Sequence, residues 1–226
     1  MSKAALLAAS AVLALTAGGA SAAPEIGAYA ARVSPVFHQA KGAQMLYNQN
    51  SNSGPAISSQ NFTSGSNTAF DDSGADDFVV PKGQTWTVTE VDVTGTYSNG
   101  SGPAASENVI FYKNDKKEKT PGKALKGGTF TDLDCSGSPS FSCPLGKGVK
   151  LKAGHYWVAV VANCSETSCG QWFWELNNTI HFKQGMWENP NGGFGMCPTW
   201  GTVESCTPFA PYGADFMFDL QGKSKQ

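Results

Sequence analysis

Four carboxylates fall within seven residues at Asp71, Asp72, Asp76 and Asp77, separated by Ser73, Gly74 and Ala75. Gathered in a fold they would repel one another unless a cation sat among them. Calcium, which takes oxygen ligands from irregular loops and rigidifies loop-to-strand junctions, fits that chemistry. The spacing departs from the EF-hand pattern, which needs oxygen donors at alternate positions and a Glu at the twelfth. The same stretch also fits a solvated acidic loop whose last aspartates accept hydrogen bonds from the backbone at the start of a strand.

A second concentration is aromatic: Trp172, Phe173, Trp174, Phe182, Trp187, Phe194 and Trp200 crowd the C-terminal third, among Gln171, Asn177, Asn178, Glu188, Asn189 and Asn191. Flat rings stack on the apolar C–H faces of sugars while amides and carboxylates take the hydroxyls. Trp157, Trp172 and Trp174 lie in strand-like text, where large rings belong to a core. Trp187 and Trp200 sit in Gly- and Pro-rich loops and suit either the surface or packing over a sheet edge. The expected ligand-binding set is therefore Trp187, Glu188, Asn189, Asn191 and Trp200.

Catalysis finds less support. No G-x-S-x-G nucleophile context occurs, and His38, His155 and His181 are scattered. A glycosidase pair could be drawn from Glu175 and Glu188, since two carboxylates are all that chemistry requires.

Six cysteines, Cys135, Cys143, Cys164, Cys169, Cys197 and Cys206, form three close couples around turn-like segments. No CxxC occurs, so disulfides 135–143, 164–169 and 197–206 are expected rather than a metal site. Loops this short give about 2 to 3 kcal/mol each in the chain-entropy model, so their main effect is to pin loop shapes. Oxidation agrees with the N-terminus: Lys3, an uncharged stretch at 4–16 and Ala20-Ser21-Ala22 read as a cleavable signal peptide over 1–22. Its apolar run is short of the roughly 20 residues of a membrane helix, and no later segment comes close. A secreted protein, extracellular or periplasmic, with no membrane span is expected. Removing Lys3 from 16 basic against 18 acidic residues leaves −3, which recruits neither nucleic acid nor an anionic membrane. Lys113, Lys116, Lys117 and Lys119, interrupted by Asp115 and Glu118, read as a solvated hairpin tip.

The elements that must position these groups are strands. Short apolar or alternating runs are predicted as strands at 44–49, 76–80, 86–97, 108–113, 128–131, 148–152, 155–163, 171–176, 179–183 and 215–221, broken by 26 Gly and 12 Pro. No segment after residue 22 carries sustained helical periodicity. Trp86 and Val88 share one parity and Val91 and Val93 the other, so a bulge near Thr89 and Glu90 is needed to keep all four inside. The run 156–161 should be a central strand. These features predict an all-β, antiparallel sandwich of jelly-roll type over 43–222, after an N-terminal arm or edge strand at 23–42 and before a tail at 223–226.

The strings Ala75-Asp76-Asp77-Phe78-Val79-Val80-Pro81, Leu151-Lys152-Ala153-Gly154-His155-Tyr156-Trp157-Val158-Ala159-Val160, Gly170-Gln171-Trp172-Phe173-Trp174 and Asp215-Phe216-Met217-Phe218-Asp219-Leu220-Gln221-Gly222 resemble β-sandwich modules of secreted bacterial proteins. The resemblance runs from about Leu46 to Gly222 and implies the fold and export. By fold analogy with jelly-roll carbohydrate-binding modules it implies a binding role. The expectation is a monomeric, non-catalytic protein that binds an extracellular glycan or cell-surface component. The alternatives are a glycan-directed hydrolase and a structural or adhesive protein without a small-molecule site.

Overall fold

The computed structural model describes residues 23–28, 35, 37, 39–63, 65, 67–207 and 214–226, so the stretch 1–22 expected to be a signal peptide and His38 lie outside the described residues. Among them the chain forms β1 (Gly27–Ala28), β2 (Gln44–Asn48), β3 (Ser53–Ser58), β4 (Gln60–Phe62), a 3-10 turn (Thr68–Phe70), β5 (Ser73–Val93), β6 (Gly95–Ser98) and β7 (Ser106–Asn114). These are followed by β8 (Pro121–Leu133), β9 (Phe141–Cys164), α1 (Glu166–Cys169), β10 (Gln171–Asn177), β11 (Met186–Glu188), β12 (Gly201–Thr202), α2 (Val203–Cys206), β13 (Asp215–Phe216) and β14 (Phe218–Lys225). Helices amount to single turns, as the lack of 3.6-residue periodicity requires.

Two sheets face each other across one core. The smaller runs β1-β3-β10-β13, with β6 also on β10. The larger runs β12-β11-β5-β9-β7-β8, with β14 on β5, β2 on β14, and β4 parallel to β9. Between them lie Trp172, Trp174, Leu176 and Phe216 from one layer and Phe78, Val88, Val158, Val160, Trp187 and Phe218 from the other. The expected antiparallel sandwich is the fold; neither sheet closes into a barrel.

The parity break of β5 is accommodated as anticipated. Its register against β9 shifts between Val88 and Glu90, and Trp86, Val88, Val91 and Val93 are all buried. One extra residue at the bulge turns the second apolar pair back to the core. β9 is central, bonded to β5 on one edge and to β7 on the other. Val158 and Val160 point inward, whereas Trp157 and Ala159 face outward and are buried in a second, smaller cluster with Ala75 and Met186. The lysine-rich segment is the exposed tip of the β7–β8 hairpin, carrying a surface Lys117–Glu118 pair.

Two expected elements differ. Residues 179–183 are not a strand: the N–H groups of His181 and Lys183 donate to the carboxylates of Asp215 and Asp77 instead of to a neighbouring strand, and Phe182 takes a positive φ of 62°. Residues 223–225 are not a tail but continue β14, pairing with Thr87, Trp86 and Thr85. All three disulfides join the expected partners, Cys135–Cys143, Cys164–Cys169 and Cys197–Cys206.

Candidate functional site

The loop after β11 is built onto a segment more than a hundred residues earlier. Asn189 donates its amide to the carbonyls of Ala69 (3.0 Å) and Asp71 (2.8 Å) and accepts the Phe194 N–H at 2.9 Å. Asn191 donates to the Thr68 carbonyl, and Phe194 packs between Phe70 (5.0 Å) and Trp187 (5.7 Å). The Cys197–Cys206 bridge closes the far side. This scaffold is stiff, and it delivers Trp200 to the outer face of the larger sheet.

Two of the expected ligand contacts are thereby used up. Trp187 is 0% exposed, and its indole N–H donates to the Ser58 carbonyl at 2.9 Å. A ring sealed between the sheets offers no face to a sugar. Asn189 is also fully buried, with both ends of its amide spent on backbone. Asn191 stays exposed but holds its own loop.

Glu188 and Trp200 do come together, with a partner that sequence reasoning passed over. On the outer face Tyr112 of β7 lies opposite Trp157 of β9, and Trp200 meets Tyr112 edge to face at 5.9 Å and 74°. Tyr112 and Trp200, both half-buried, pack over Trp157, Ala159, Ala75 and Met186, and the Trp157 indole N–H is held by Asn114 at 3.0 Å. Two alanines in the floor keep it low beside the rings. Glu188, two residues along from Met186 and therefore on the same face, is half-buried, and burial pushes its carboxyl up to about 7. Its charge in turn helps raise the Tyr112 hydroxyl, for which burial is the larger cause. Tyr112 could have been found from its parity with Ile110 and Asn108, but its approach to Glu188 depends on a loop whose path no local pattern encodes.

The four-aspartate stretch is split by the fold. Asp71 accepts the Phe62 N–H (2.7 Å) and Asp72 accepts from Ser58 Oγ (2.7 Å) and the Gln60 N–H (3.2 Å), stitching β4 to the start of β5. Asp76 and Asp77 lie elsewhere, alongside Asp215. Asp76 receives the Gln49 amide (2.7 Å) and the Phe216 N–H, Asp77 pairs with His155, and Asp215 pairs with His181 at 3.3 Å. Burial raises the carboxyls of Asp72, Asp76, Asp77 and Asp215. The four expected calcium ligands thus do not surround one point; local spacing placed them together only along the chain.

Glu175 and Glu188 do not share a cleft. Glu175 alternates with the inward Trp174 and Leu176 on β10, so it faces away from the core on the smaller sheet, buried and bonded to Ser53 at 3.0 Å. Glu188 faces away on the larger sheet. Glu107 lies beside Cys135 and Cys143, but those sulfurs are joined to each other and supply no thiolate.

Among the described residues no helix is long and apolar enough to cross a membrane. No family model and no curated protein matches the chain. Among solved structures it is similar to the cysteine protease and lectin-like domains of Cwp84, a surface layer associated protein of Clostridium difficile, at 11% identity and a TM-score of 0.49. That match covers 85% of this chain and 38% of the other.

Proposed function

We propose that the protein is a secreted, monomeric, non-catalytic binder of an extracellular glycan or glycan-bearing cell-surface component, and that it binds on the outer face of the larger sheet. The observation that carries this reading is Glu188: a half-buried carboxylate with no hydrogen bond or ion pair among the described residues, set beside the half-exposed rings of Tyr112 and Trp200. Its oxygens are not among the buried atoms left without a partner, so they stay open to water and free to accept from a ligand. A sugar hydroxyl would donate to this carboxylate in place of water while the ring edges and faces take the C–H surface. The three disulfides are the chemistry of an oxidising compartment.

A glycan array probed with the oxidised protein tests this. Binding to a defined set of glycans that falls at least tenfold in Trp200→Ala and Glu188→Gln supports it. Absence of glycan binding, or binding indifferent to both changes, sinks it.

A further inference from the structure

At the far end of β5 from Glu188, two aspartates stand directly opposite each other on paired strands: Asp92 of β5 and Asp219 of β14. Both are buried, at 0% and 3% exposure. Each has one satisfied oxygen and one that is not. Asp92 accepts the Gln221 amide at 2.6 Å and Asp219 the Asn50 amide at 3.4 Å, while Oδ1 of each has no hydrogen-bond partner. Among the described residues no lysine, arginine or histidine nitrogen forms an ion pair with either. Like charges directly opposite on a sheet repel, and buried carboxylate oxygens without partners are costly.

Oxygen-bearing side chains and a cavity lie nearby, although neither aspartate lines that cavity. Glu90 precedes Asp92 by two residues on the same face, and Ser142 is the residue opposite Asp92 on β9. Both line a cavity of about 350 Å3 that is also lined by Pro35, Phe37, Ala40 and Ser140. The Ala40 N–H is tied to Gln221 Oε1 at 2.9 Å, so Ala40 lies over this face. Asp215 also has an unpartnered oxygen, but its other oxygen accepts the His181 N–H and meets the His181 ring nitrogen.

We propose that Asp92 and Asp219 bind a hard divalent cation, calcium by the chemistry of an all-oxygen ligand set, through the two carboxylate oxygens left without partners. Carboxylate, amide and hydroxyl oxygens select calcium or magnesium over thiophilic metals. The cation would cancel the repulsion and pin β14 to β5. A single proton shared between the two carboxyls, or a buried water, is the competing way to satisfy these oxygens.

The test is thermal unfolding of the chelator-treated, oxidised protein at pH 7.5 with calcium chloride, magnesium chloride or neither. At calcium a hundredfold above its dissociation constant the midpoint should rise by about 5 to 10 °C, and equilibrium dialysis should find calcium bound to the wild type. Asp92→Asn and Asp219→Asn should each abolish the shift, whereas Asp76→Asn should retain it. No shift and no bound calcium in the wild type overturns the proposal, as does a shift that survives in both Asp92→Asn and Asp219→Asn. If either variant fails to fold, the wild-type dialysis still decides. Failure here would leave the glycan-binding face untouched, since the two sites share no residue.

Discussion

Trp187 and Trp200 are thirteen positions apart on one loop-rich stretch, yet they belong to different parts of the physics. Trp187 fills the space between the sheets and bonds to Ser58, so Trp187→Ala should cost about 3 to 5 kcal/mol in urea unfolding. Trp200→Ala removes a half-exposed ring and should cost well under half as much while abolishing binding. Glu188 adds a pH signature. Its carboxyl sits near 7 in the folded protein against an ordinary value of 4.5, so between those values the folded state keeps a proton that the unfolded chain has lost. Stability from this group is fully present below about 4.5 and is lost as pH rises through 7. Glu107 and Glu175, also raised to about 7 by burial, act in the same direction. The comparison that isolates Glu188 is therefore Glu188→Gln against wild type: indistinguishable at pH 4, with the variant more stable at pH 8. A wild type that is the more stable at pH 8 would mean that Glu188 already has a partner.

At the scale of elements, what local text encodes and what it does not separate cleanly. The switch of parity between Val88 and Val91 is written in β5 itself, and so is the bulge that resolves it. Deleting Thr89 should force either Trp86 and Val88 or Val91 and Val93 out of the core, and near-UV circular dichroism should report a loss of native packing. The close cysteine couples were equally legible because short turns bring their partners together. By contrast β11 is three residues of a loop-like string, and it is a strand because Ser73, Gly74 and Ala75 on one edge and Gly201 and Thr202 on the other accept it as a neighbour. Residues 179–183 alternate like a strand, but Asp77 and Asp215 take their N–H groups. The candidate site depends on the same kind of distant contact: Trp200 reaches Tyr112 because Asn189 grips Ala69 and Asp71. Replacing Cys197 and Cys206 by Ser should therefore loosen the 189–200 loop, cost about 2 to 3 kcal/mol and weaken glycan binding more than replacing Cys135 and Cys143.

For the whole molecule, one shared core joins the two sheets, so urea unfolding followed by tryptophan fluorescence and by far-ultraviolet circular dichroism should give a single coincident transition. Binding is asked of one outer face of the larger sheet, where a stiff loop, two rings and an unpartnered carboxylate meet. The most direct measurement is titration of the oxidised protein with the strongest glycan from an array, on wild type, Trp200→Ala and Glu188→Gln in parallel. Saturable wild-type binding, lost by at least tenfold in both variants while their folds remain intact, is the predicted result. Equal affinity in all three proteins, or no glycan bound by the wild type, would contradict it.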